Sequence, residues 1–178
     1  MSGPYPAALE PLWAAVATGG FAVIFNLRGR DIPLAAAGAA LGWAVFAALT
    51  RAAGSEAVGY FCAAAAIGLW SETLAAGLRR PATVYMICGI IPLVPGAGMY
   101  YTMLEYVRGS AWLAITTGLA ALQAAGAIAA GLAVSSAVSR LLSLRMLARR
   151  ALAREALARE AAPGGAAPEG TQRGAKPS

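Results

Sequence analysis

Glu72 is the one carboxylate that lies well inside an apolar stretch of the sequence, which makes it the best candidate for proton chemistry. Burial raises the pKa of a carboxyl group, so such a residue can carry a proton in exchange for a second solute. Arg79 follows seven residues later, roughly 10 Å along a helix and on nearly the same face. Glu72 could therefore also reach toward Arg79 or Arg80 and only fix its helix in place. The sequence leaves both roles open.

Two prolines three residues apart, Pro92 and Pro95, stand in another apolar stretch together with Gly96 and Gly98. Proline lacks the backbone N–H and clashes with the preceding helical turn, while glycine adds backbone freedom, so a helix must break or loosen here. Membrane transporters use interrupted helices to present helix ends and bare backbone groups to substrates and ions. A kink that only shapes the helix packing is the alternative. We predict the break and keep both roles open.

Uncharged polar side chains complete the set of candidates. Their hydroxyl and amide groups can bind a zwitterion or a carboxylate through neutral hydrogen bonds. They can equally bond across helices or back to their own helix. The residues concerned are Asn26, Ser71, Thr73, Tyr85, Tyr100, Tyr101, Thr102 and Gln123.

Several kinds of chemistry are excluded by composition. The sequence contains no histidine, which rules out histidine triads, histidine zinc sites and histidine proton relays. Cys62 and Cys88 match neither a metal-binding spacing nor a disulfide framework, so we interpret them as packing residues. No nucleotide-binding loop is present. We therefore expect no cofactor, no metal site, no nucleic-acid partner and no enzymatic activity.

The composition indicates that these residues are positioned by membrane-spanning helices. Of 178 residues 59% are apolar and only 12% are charged, and the mean hydropathy is +0.63. A soluble domain of this length needs a surface that is roughly a quarter charged. Five charge-poor windows are each long enough to cross a bilayer, and they cover residues 9–27, 32–50, 57–78, 81–104 and 109–139. We predict an all-α integral membrane protein with five transmembrane helices, of which the fourth is broken at the prolines.

The distribution of basic residues predicts the orientation. With five crossings, all Lys and Arg residues except Arg51 and Arg108 fall on one face, and the positive-inside rule makes that face cytoplasmic. A fourth segment that dipped in and returned would weaken this asymmetry. The net charge of +6 thus reflects orientation rather than nucleic-acid binding. We expect a multi-pass protein of the plasma (inner) membrane with its N-terminus outside and its C-terminus in the cytoplasm.

Three parts follow along the chain. Residues 1–139 form the transmembrane domain, and residues 140–160 form a basic, leucine-containing helix that we expect in the cytoplasm. This helix could lie against anionic membrane lipids or serve only as a basic flank that fixes the topology. Residues 161–178 are rich in Pro, Gly and Ala, and we expect a disordered tail.

Residues 91–96, Ile-Pro-Leu-Val-Pro-Gly, followed by Tyr100, resemble the signature of the threonine/serine exporter family. The likeness is to its small-subunit branch of five-helix membrane proteins. Residues 20–26, residues 38–43, and the Ser71-Glu72 pair with the Arg and Pro that follow it are also similar to the family, so the resemblance covers about residues 15–140.

This resemblance implies an exporter of small polar metabolites, either threonine and serine or a dicarboxylate such as succinate. It also implies a larger partner subunit with a hydrophilic domain and five further helices, and the assembly could form a higher oligomer. In this interpretation the substrate site comprises Pro92, Pro95, Gly96, Tyr100 and Asn26, and Glu72 couples transport to protons. A structural or assembly subunit with no substrate site of its own is the alternative.

Overall fold

The structure is a computed structural model that describes residues 9–78 and 80–161. These residues form six α-helices and no strand, which confirms the all-helical prediction for the described part of the chain. The helices are α1 (Glu10–Ile24), α2 (Asp31–Ala53), α3 (Glu56–Leu78), α4 (Ala82–Ile90), α5 (Gly96–Val107) and α6 (Ala111–Ala161), with a 3-10 turn at Ile91–Leu93 between α4 and α5.

Three helices are long and apolar enough to cross a membrane: α2, α3 and the Ala111–Ser143 part of α6. Helix α4 with its 3-10 turn and helix α5 form a pair bent by 46°, which provides a fourth crossing if it is one span. Helix α1 is apolar but has only 15 residues. The structure therefore supports three or four spanning helices by length and composition, and five crossings stay a prediction.

Local sequence determines where α1 and α2 end. The N–H of Leu27 donates to the carbonyl of Ala22 at 2.9 Å, and that of Asn26 donates to Val23 at 3.0 Å. These two bonds form a Schellman motif, in which the residue after the helix adopts a positive φ. Asn26 occupies that position at φ 60°, and Gly54 does so after α2 at φ 62°. Asn26 thus has a role in ending α1.

Glycines allow α2, α3 and α4 to approach closely. A methyl group added at Gly38 would lie 2.7 Å from the indole of Trp70, whose Nε1 donates to the carbonyl of Leu34 at 3.0 Å. The side chain of Ile67 fills the space that Gly42 leaves on α2 and the space that Gly89 leaves on α4. Small residues permit this kind of close helix packing in membranes.

Helices α3 and α6 run in the same direction along their contact. Gly131 of α6 lies against the backbone carbonyl of Phe61, and Ser135, one turn later, lies against Gly68 of α3. Residue numbers rise together on both helices, so the two are parallel. Helix α5 packs antiparallel to α6, since Gly98 lies near Ala121 whereas Thr102 lies near Gly118.

Much of the outer surface is apolar. None of the residues of α5 is buried, and Met103, Tyr106 and Trp112 are 65%, 68% and 78% exposed. Exposing an apolar surface of this extent to water is unfavourable, so we expect it to contact lipid or another membrane protein. The described part of residues 1–140 forms one compact unit, and residues from Leu141 onward belong to a second. The predicted tail lies outside the described residues, except for Ala161 at the end of α6.

Candidate functional site

A cavity of about 360 Å³ lies at the interruption between α4 and α5. Residues 94 and 95 are not helical, so the chain changes direction between the 3-10 turn and Gly96. One wall consists of residues 92–98, and the remaining walls come from α2, α3 and α6 through Trp43, Glu56, Tyr60, Thr117, Ala120, Ala121 and Ala124. We call this space the proline cavity.

The first turn of α5 contributes backbone to the wall of the proline cavity. Gly96, Ala97 and Gly98 line it, and no side chain caps this helix. The N–H of Gly96 donates to the carbonyl of Val94 at 2.7 Å, whereas the N–H groups of Ala97 and Gly98 have no intrahelical acceptor, and the helix dipole adds partial positive charge there. This turn can therefore donate hydrogen bonds to a carboxylate oxygen of a small ligand.

Two carboxylates lie close to the proline motif. Glu56 lines the proline cavity and is exposed. Glu10 lines an adjoining cavity of about 290 Å³ that shares Trp43 and Pro92 with it. The indole Nε1 of Trp43 donates to Glu10 Oε2 at 3.1 Å. Among the described residues no Lys or Arg lines either cavity, so the charges here favour a ligand with an ammonium group.

Removing the Trp43–Glu10 hydrogen bond should lower stability. We expect Trp43→Phe to reduce the free energy of unfolding by about 1.5–3 kcal/mol, because the acceptor is charged. Thermal unfolding of the purified protein in detergent measures this change. Trp112→Phe is the matched control, since Trp112 is 78% exposed. Equal melting temperatures for the two variants would contradict the prediction.

The structure places the predicted site residues in different locations. Pro92, Pro95 and Gly96 come together in the proline cavity. Tyr100 lies outside it, 63% exposed, with its ring edge against Tyr101 at a centroid distance of 5.4 Å. Asn26 lies just after the C-terminal end of α1, whereas Glu10 is at the N-terminal end of this helix. Asn26 lines a separate cavity.

Glu72 lies half-buried on α3, and it lines neither the proline cavity nor the one beside it. Its carboxylate has no hydrogen bond or ion pair within the described part of the chain. Arg79, one of its two suggested partners, falls outside that part. The other, Arg80, lies instead 3.7 Å from Asp31. The two neighbours of Glu72 bond to their own helix, Ser71 to the carbonyl of Ile67 and Thr73 to that of Trp70.

Sequence reasoning did not identify Trp43, Glu56 and Tyr60 as part of this site. By position alone Trp43 is typical of an anchor or packing residue, and Glu56 of an interfacial charge at a span end. The order of the helices along the chain is a signal for this site. Consecutive antiparallel helices bring the second half of α2, with Trp43, beside the first half of α3, with Glu56 and Tyr60. Glu105 is paired with Arg108, whose Nη1 donates to its Oε1 at 3.2 Å.

Residues 10–138 match the family model described as threonine/serine exporter, ThrE. The chain belongs to the threonine/serine exporter family. No curated protein and no solved structure matches it significantly. The family part of the sequence prediction is thereby confirmed, and it implies a transporter of the threonine/serine exporter type.

The segment matched to the threonine/serine exporter family contains α1 to α5 and α6 as far as Val138. It therefore includes every described wall residue of the proline cavity. Family membership and the apolar helices together indicate a membrane location.

Proposed function

We propose that this chain is the small integral subunit of a secondary transporter that exports small polar metabolites across the plasma membrane. The observation that carries this proposal is the proline cavity, a space of about 360 Å³ at an interrupted helix inside the segment that matches the exporter family. Binding and moving a solute, rather than catalysis, is the function we assign to it. A larger subunit supplies a hydrophilic domain and five further helices.

The proposed subunit crosses the membrane five times. The parallel contact between α3 and α6 supports one crossing between these two helices, because the chain must return to the side on which α3 begins before α6 can run alongside it. The bent pair of α4 and α5 makes that return as the broken fourth span. The basic residues then assign the N-terminus to the outside and the C-terminus to the cytoplasm. Residues 140–160 contact anionic lipid headgroups from the cytoplasmic side.

In the proposed site Pro92 and Pro95 keep the fourth span open. The first turn of α5, which begins at Gly96, donates the N–H groups of Ala97 and Gly98 to the carboxylate of the substrate. Glu56 receives its ammonium group. The acidic surroundings favour threonine and serine over a dicarboxylate such as succinate, because a second carboxylate would be repelled. Tyr100 and Asn26 bond to the substrate at other points of its path.

Export by the assembled transporter tests the proposal. A tag on this chain should co-purify a larger membrane subunit, and the assembly could be a higher oligomer. Liposomes that contain the purified complex should release labelled threonine or serine faster than labelled succinate. The absence of release for all three solutes, from a complex that elutes as a single species, would overturn the proposed function.

Glu72 is the residue that we propose for proton coupling. Glu72→Gln keeps the shape of the side chain but removes its titration, so export should lose its dependence on pH. Export rates measured between about pH 5 and pH 8 provide the readout. Glu105→Gln is the control, because Glu105 pairs with Arg108. A pH profile unchanged by Glu72→Gln would remove Glu72 from this role.

A structural or assembly subunit is the second candidate function, and helix α5, none of whose residues is buried, is what favours it. Such a subunit would present the bent α4–α5 pair only as a docking face. A photoactivatable threonine analogue separates the two functions, since the proposed site predicts labelling between residues 92 and 98. Labelling confined to the larger subunit would favour the structural role.

A further inference from the structure

A second polar cavity, of about 370 Å³, lies where α1 ends and where α2 and α4 begin. Its walls come from the α1–α2 connection and from the start of α4. The proline cavity shares none of its lining residues. The residues that line it are Phe25, Asn26, Leu27, Arg28, Asp31, Arg80, Pro81, Val84 and Tyr85. We call it the basic cavity.

Asp31 is held firmly in the wall of the basic cavity. The hydroxyl of the buried Tyr85 donates to Asp31 Oδ1 at 2.8 Å, and Arg80 Nη2 lies 3.7 Å from Oδ2. The side chain of Asp31 is only 14% exposed, whereas that of Arg80 is 64% exposed. Both carboxylate oxygens are therefore occupied, while Arg80 keeps N–H groups that face solvent.

The charges that line the basic cavity do not balance. Arg28 and Arg80 each carry a positive charge, and Asp31 carries the only negative charge among the lining residues. Arg28 has no ion pair within the part of the chain that the structure describes. One guanidinium is thus left over in a cavity large enough for a small metabolite, and guanidinium groups match the geometry of a carboxylate.

We propose that the basic cavity is a second binding site, which receives the carboxylate of a small metabolite between Arg28 and Arg80. Tyr85 and Asp31 position Arg80 for this contact, and Asn26 shapes the rim by ending α1. The proposed orientation places the site on the cytoplasmic side, so it would load the exporter before the solute reaches the proline cavity. This role in loading rests on the proposed function, but the binding itself does not.

Equilibrium binding tests the proposal without requiring transport. The purified protein, alone or with whatever co-purifies with it, is titrated in nanodiscs of neutral lipid with radiolabelled threonine and, separately, succinate. Arg28→Gln should weaken binding of at least one of them about tenfold or more, because it removes a charge-assisted contact. Arg80→Gln should do the same. Arg30→Gln is the matched control, since it removes the same charge from an exposed residue that does not line the cavity.

The possible results separate a metabolite from a lipid headgroup as the ligand. Weaker binding in the Arg28 and Arg80 variants, with unchanged melting temperatures and no effect of Arg30→Gln, supports the proposal. Equal weakening by all three substitutions, or by none, overturns it. The proposal is also overturned if phosphatidylglycerol added to the nanodiscs abolishes binding in the wild type, since a lipid headgroup then occupies the cavity. Should the complex bind but not export, the proposed function fails while this site stands.

Discussion

Export should fall about 100-fold when Pro92 and Pro95 are both replaced by alanine. Alanine restores the two missing N–H donors and removes both ring clashes, so α4 and α5 can join into one straight helix. The wall of the proline cavity would then close, and a displacement of about 1 Å at a binding site already costs on the order of 100-fold in rate. Release of labelled threonine from liposomes that contain the complex measures the effect.

Pro33→Ala is the control for this pair. Pro33 is exposed in the first turn of α2 and lines neither the proline cavity nor the basic cavity. Its replacement should leave export unchanged. If the double variant inserts normally and exports at the wild-type rate, the proline cavity is not part of the substrate path.

Gly131→Leu should destabilise the protein by roughly 1–3 kcal/mol or prevent it from accumulating, the usual range for overpacking in a well-packed core. The first atom of a side chain at Gly131 would collide with the backbone carbonyl of Phe61, which cannot move aside as a flexible side chain can. Helices α3 and α6 would have to separate along their contact. Thermal unfolding in detergent and the amount of protein in membranes are the measurements.

Gly126→Leu provides the comparison on the same helix. Gly126 is exposed and has nothing within 4 Å of an added methyl group, so this variant should behave as the wild type. A melting temperature for Gly131→Leu as high as that of Gly126→Leu would contradict the close contact of α3 and α6 at Gly131.

The sequence predicted the helical class well because hydropathy and helix-ending residues act locally. Asn26 and Gly54 adopt the positive φ that follows many helix ends, and the backbone is not helical at Val94 and Pro95. The length of α1 was overestimated. Asn26 and Leu27 belong to a Schellman motif that ends the helix. The polarity of these residues is equally compatible with one more turn of helix, so it does not reveal the motif.

The partners of the candidate residues could not be predicted from hydropathy and spacing, since contacts between helices determine them. Trp43 meets Glu10 across 33 residues of sequence, and Tyr85 meets Asp31 across 54. Asp31 lies between the first two charge-poor windows of the sequence, yet it accepts the hydrogen bond of Tyr85 in the wall of the basic cavity. Register between helices decides such pairs, and a charge-free window carries no information about register.

The isoleucine that fills the gaps left by Gly42 and Gly89 has a mechanical consequence. The side chain of Ile67 on α3 lies against both Gly42 of α2 and Gly89 of α4. Sliding one of these helices past another would therefore require this side chain to leave its position. The three helices should therefore rotate as one stiff body. Any bending between α4 and α5 would then fall on the two non-helical residues Val94 and Pro95.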